Sequence, residues 1–150
     1  MKTLFITLTV VLLGFAAHSQ DLLGTQSSDI RNTTKGAKGL SIQSSGDSTL
    51  EVINKYSRRY FKFKLDPATG ICFQEEVQLD ASDYVNLRII EKFINSKKFS
   101  KISEDNNTSV YENNLKTVHV IHEGDLVHII FSLKVSPSAF MAIRNPEENN

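Results

Sequence analysis

The chain has 150 residues, 40% of them hydrophobic and 23% charged, which suits one globular domain and excludes a disordered or fibrous chain. Its 17 Lys and Arg balance 17 Asp and Glu, so a polyanion, nucleic acid above all, is not expected as the main partner. A single cysteine excludes an internal disulfide, and the fold must rest on its core.

Met1–Ser19 reads as a secretory signal peptide. Lys2 supplies the positive start, Leu4–Ala17 is apolar apart from Thr7 and Thr9, and Ala17 and Ser19 place small residues before a cut at Gln20. The apolar run falls short of the roughly 20 residues that span a bilayer. No second run of that length follows, so no membrane span is expected. The single domain is then 20–150, with a frayed tail over Asn145–Asn150. A small exported chain without a disulfide points to a bacterial periplasmic or secreted protein. Cys72 lies too far from the cut to carry a lipid.

Thr25 can cap a short helix over Gln26–Lys35, which Gly36 stops. Leu40–Ile42 is a brief strand, Ser44–Ser48 a turn, and Thr49–Tyr56 a second strand around Leu50 and Val52. Arg59–Leu79 is a β-hairpin. Phe61, Phe63 and Leu65 alternate with Tyr60, Lys62 and Lys64, the period of a strand with one wet face. Asp66–Gly70 reverses the chain. Pairing of Leu65 with Ile71 brings Phe63 to Phe73 and Phe61 to Glu75, and puts Cys72 on the outer face. There it is a small filler residue, or else a reactive thiol or one half of an intermolecular disulfide.

Asp83–Ser96 is the main helix, capped by Asp80 or Ser82, with Asp83 at the positive end of its dipole. Val85, Ile89, Ile90, Phe93 and Ile94 form its apolar stripe. Phe99–Asn107 reads as a loop and Val110–Tyr111 as a short strand. Leu115–Phe131 is a second hairpin. A two-residue Gly124–Asp125 turn pairs Val120 with Ile129 and Val118 with Phe131; a three-residue turn would exchange the faces. Ser136–Pro137 opens a last helical turn carrying Phe140 and Ile143. No internal repeat is visible. The sum is an α+β domain of two layers, an antiparallel sheet of about five to seven strands with one main helix packed on one face.

Few residues invite chemistry. His119 and His122 point to opposite sides of a strand, and His119 with His128 falls short of the ligands zinc takes, so no metal or other cofactor is expected. Glu75 and Glu76 also point apart and make no glycosidase pair. Glu75 interrupts the apolar row, either as an ion pair with Arg59 or at a bulge, or as a buried acid. Asp105–Ser109 starts like a calcium loop but lacks the glycine and the closing glutamate. Asn32, Asn106 and Asn107 fit the glycosylation acceptor pattern, which counts only in a eukaryotic secretory route. Lys55, Arg58, Arg59, Lys62 and Lys64, interleaved with Tyr56 and Tyr60, form the one basic-aromatic stretch. Tyr60, Lys62 and Lys64 are the candidate binding patch, for a protein or an anionic surface polymer; a plain solvated strand face is the alternative.

Leu22–Ile30, LLGTQSSDI, resembles the entry motif of small exported BLIP-like proteins, in which a hydrophobic-Gly-Ser/Thr start opens a short helix before an antiparallel sheet. The resemblance implies a helix-on-curved-sheet domain used for protein–protein contact in the envelope. It carries no catalytic residues across, and the lipid-attachment cysteine of the lipoprotein members has no counterpart here.

Without a converging polar constellation, the reading is an exported, non-catalytic interaction or binding domain. The alternative is a small ligand-binding or hydrolase-like enzyme with a pocket beside Glu75 and the hairpin histidines. Export is checked by sequencing the N-terminus of the protein recovered outside the cytoplasm: it should begin at Gln20, and a chain still beginning at Met1 would exclude cleavage.

Overall fold

Two hairpins, each with one dry row, bury those rows by lying side by side. In the computed structural model, which describes residues 22–57 and 59–144, strand β4 (Cys72–Asp80) pairs antiparallel with strand β8 (Leu126–Leu133). Helix α1 (Ser27–Gly36) and strands β1 (Leu40–Ser45), β2 (Thr49–Asn54) and β3 (Arg59–Leu65) precede β4. Helix α2 (Tyr84–Ser96) and strands β5 (Ser100–Glu104), β6 (Thr108–Glu112) and β7 (Lys116–Glu123) precede β8, and helix α3 (Pro137–Arg144) follows it. The expected leader Met1–Ser19, the expected tail Asn145–Asn150 and Arg58 lie outside the described residues.

The architecture is α+β with one antiparallel sheet, as the residue pattern predicts, but the sheet has eight strands in the order β1-β2-β3-β4-β8-β7-β6-β5. That order reads alike from either edge. Each half is a helix followed by a four-stranded meander, so the topology repeats although no sequence repeat is visible. Three-residue connectors, 37–39 and 97–99, join helix to first strand in both halves. Each half also has a register shift in its outermost pair, between Ile42 and Ser44 in one and between Lys101 and Ser103 in the other. Bulges there twist the edge strands and discourage edge-to-edge pairing.

Phe61, Phe63, Leu65, Val77, Leu79, Val118, Val127, Ile129 and Phe131 are buried and form one cluster with Leu50 and Val52. Ile30 of α1 and Ile90 and Ile94 of α2 belong to the same cluster, so more than one helix contributes to the core. Phe140 of α3 is also buried. The second hairpin has the register its two-residue turn predicts, Val118 opposite Phe131 and Val120 opposite Ile129, with Gly124 at φ 60 in the turn.

The first hairpin differs. Leu65 faces Cys72, Phe63 faces Glu75 and Phe61 faces Val77, with a register shift between Lys64 and Leu65. The cause is the turn. Asp66 and Ile71 close it through a hydrogen bond from Asp66 N to Ile71 O (2.9 Å), Gly70 N donates to Asp66 O (2.7 Å), and Gly70 takes φ 70. Cys72 therefore lies inside, fully buried, while Phe73 is only half-buried.

Two more expectations fail for local reasons. Phe99–Asn107 is not a loop: it contains β5, an edge strand whose residues are all exposed and which therefore shows no apolar alternation. In α2, Asp83 is the cap, its carboxylate accepting from the backbone N of Asn86 (3.4 Å) and from Asn86 Nδ2 (2.6 Å). With its amide satisfied, Asn86 is buried and Val85 is turned out, 71% exposed. Removing Val85 beyond Cβ should change stability by less than about 0.5 kcal/mol, whereas Ile90→Ala should cost about 2–5 kcal/mol; urea denaturation of the two variants distinguishes this face of the helix from the one the apolar spacing suggests.

Candidate functional site

The other row of each central strand forms the outer face of the sheet. Tyr60 and Lys62 on β3 are half-buried and Lys64 is exposed, so the three candidate binding residues do share one surface. Their neighbours give the surface its charge. Glu51 on β2 stands opposite Lys62 in register and takes its ammonium at 3.4 Å. Tyr60 also hydrogen-bonds Glu51. Partial burial comes first, then the Glu51 hydrogen bond and the charges of Glu51 and Glu76, in pushing the Tyr60 phenol up to about 12. The phenol thus stays a neutral donor over the physiological range.

On the far side of Lys62 stands Glu76, its register partner on β4. Glu76 Oε1 lies 3.0 Å from His128 Nδ1, and His128 Nε2 lies 3.6 Å from Glu123 Oε2. A polar ribbon, Tyr60–Glu51–Lys62 and then Glu76–His128–Glu123, crosses the middle of the face. Ile53, Ile121 and Ile130, all half-buried, flank it on the same side. Exposed ion pairs of this kind contribute about 0–1 kcal/mol each, so they set the pattern of the surface more than its stability. Arg59 is drawn away to the helix cap, Nε to Asp83 Oδ2 at 3.3 Å.

Glu75 is elsewhere. It is 0% exposed and faces Phe63 on β3 and Phe131 on β8. Of the readings open from the residues alone, burial holds and a bulge lies close by, at the register shift between Lys64 and Leu65, while Arg59 pairs with Asp83. Glu75 and Glu76 do point apart, so the acid and His128 stand on opposite sides of the sheet. His122 is on the helix side of β7, lining a cavity of about 240 Å³ with Glu91 and Asn95 of α2. The arrangement of Glu75 with a hairpin histidine in one pocket does not form. His119 and His128 are offset, each facing an isoleucine across the hairpin, and no group of three or more His, Cys, Asp or Glu side chains among the described residues could hold a metal. Asp105 closes a turn instead of a calcium loop, its Oδ1 accepting from the backbone N of Asn107 (3.1 Å) and Thr108 (2.8 Å).

Residue patterns alone put Ile121, His128 and Ile130 outward but missed Glu51, Glu123 and Ile53 as members of this face. The signal for Glu51 was its place opposite Lys62, which needs the β2–β3 register. No helix among the described residues is long and apolar enough to cross a membrane. Comparison with family models, curated proteins and solved structures gives no match to this chain.

Cys72 is the one nucleophile the pattern placed at the surface. Burial, and then the charge of Glu75, push its thiol up, so the thiolate needed for disulfide exchange is scarce. Ellman's reagent at pH 8 should leave the native protein unlabelled and react with one thiol per chain in guanidinium; prompt labelling of the native state would place Cys72 at the surface.

Proposed function

We propose that this chain is an exported, non-catalytic interaction domain that binds a partner protein through the outer face of its sheet. The single observation behind this reading is the composition of that face: Tyr60, Lys62, Lys64, Glu76, His128 and Ile130 remain at least partly exposed on the side away from the buried rows. In this reading the helices, α2 chief among them, cover one side of the sheet and leave the other open. Seven spacings of about 4.8 Å make the sheet roughly 34 Å wide, and a mean strand length of roughly 22 Å gives about 750 Å² of face. A stable interface needs about 800 Å² per partner, which is close to that scale. The mixture of aromatic, aliphatic and paired charged groups suits a protein surface. Lys62 has carboxylates on both sides, which weakens the case for an anionic polymer. The resemblance of Leu22–Ile30 to the BLIP-like entry motif, and the leader-like Met1–Ser19, favour the same reading in the envelope or beyond it.

The test is capture from native envelope extract with wild type and with a Tyr60→Ala/Ile130→Asp variant. Loss of a retained protein by this variant, but not by Glu91→Lys on α2, is expected. Equal retention by all three would exclude the sheet face as the binding surface.

A further inference from the structure

A second opening lies away from the sheet face. A cavity of about 830 Å³ lies where the end of α2, the β6–β7 turn, the end of β8 and α3 meet. Its size is that of small-molecule sites, about 300–1,000 Å³. Phe93, Phe99, Leu115 and Phe140 supply an apolar lining. Phe93 is anchored to the core by an edge-on contact with Phe131, ring centroids 6.0 Å apart, and Phe99 leans on Phe93 at 6.3 Å.

The charge around this lining is one-sided. Lys97, Lys98, Lys116 and Lys134 line the cavity, and among its described lining residues the carboxylate is Glu112, which Lys134 holds at 3.0 Å. Two of the ammonium groups lie beside the apolar lining itself, Lys97 at 5.9 Å from the Phe93 ring centre and Lys116 at 5.8 Å from that of Phe140. In a chain of balanced charge, such a surplus next to aromatic rings is a local feature.

Lys98 adds a separate observation. It has φ 56, the one positive φ at a non-glycine among the described residues. That region disfavours residues with a Cβ. In the matching connector of the first half the positive φ belongs to Gly39, at 89. A glycine would relax the second connector too, yet a lysine occupies it and contributes to the cavity wall.

We propose that this cavity binds a single-chain anionic amphiphile, a free long-chain fatty acid, with its acyl chain against the phenyl rings and its carboxylate among the lysine ammonium groups. A positively charged head would meet the same four lysines and be rejected. The inference does not depend on the sheet-face reading, because it uses other residues on another surface.

Calorimetric titration of the purified protein with dodecanoate, below its micelle concentration, should give saturable binding of one molecule per chain. Dodecyltrimethylammonium, with an equally long chain and the opposite head, should bind roughly tenfold more weakly or worse. A Lys97→Glu/Lys98→Glu variant should lose about tenfold in affinity with an unchanged melting temperature. Lys98→Gly, which removes the strained backbone position, should hold or raise the melting temperature while weakening dodecanoate. Absence of dodecanoate binding, equal affinity for the two head groups, or full affinity in the double variant would overturn the proposal. So would attachment to phosphatidylglycerol vesicles without binding of the monomeric acid, which would assign the lysines to a membrane surface.

Discussion

The β4–β8 seam holds the molecule together. Seven register pairs, from Gln74 opposite Ser132 to Asp80 opposite Leu126, join two meanders that are otherwise built from neighbours in sequence. Without the seam, the inward rows of β4 and β8 would be wet edges, and each four-stranded half would have one apolar row too many for its own helix. With it, Val77 and Ile129 face one another at the centre of a single buried layer. It is also the contact that closes the longest loop in the sheet, since α2, β5, β6 and β7 all intervene. Loop closure grows only slowly with length, about 0.6 kcal/mol per doubling, so the seam costs little more than a shorter connection would. What it requires is that both dry rows have the same parity when they meet.

Glu75 sits in that seam, a carboxyl group in an otherwise apolar row. Taking a carboxyl group into an apolar layer costs several kcal/mol unless it is neutralised or well paired. The register makes the position hard to avoid: the shift between Lys64 and Leu65 turns Cys72 inward, while Glu75 keeps the side of Val77. Had the hairpin closed without the shift, Glu75 would still occupy the inner row, opposite Phe61, because its parity is that of Val77 and Leu79. Its burial therefore follows from the apolar row around it. The same geometry sets Glu75 and His128 on opposite sides of the sheet, out of each other's reach.

How much of this the residues disclose depends on contrast between faces. Phe61, Phe63, Val77 and Val118 announce themselves because polar residues flank them, and the Gly124–Asp125 turn fixes the register that places Ile129 and Phe131. β5 does not, because SKISE is exposed along its whole length and Ile102 falls at the bulge. α2 is legible as a helix, but its orientation turns on Asn86, whose bond to Asp83 lets an amide go inside in place of Val85. The candidate patch Tyr60, Lys62 and Lys64 is legible as a face; its acidic neighbours come from strands whose alignment only the fold supplies. The repeat is hidden because the halves keep parity and connector length while Phe-Lys-Phe in β3 becomes Val-His-Val in β7.

The helix-to-strand connectors of the two halves share a length of three residues but not their residues. Ala37–Gly39 turns with a glycine at the positive φ, and a Cβ on Gly39 would lie 2.4 Å from the Tyr56 ring. A Cβ there would have to displace the exposed Tyr56 ring. Lys97–Phe99 spans the same distance with two lysines and a phenyl group around open volume. Geometry alone asks for a glycine in both places. Where the second connector refuses it, a side chain has been kept at the expense of backbone comfort, and strain retained in this way is a mark of sites more often than of scaffolds. The first half, closed by Tyr56, shows what the connector looks like when only the fold has to be satisfied.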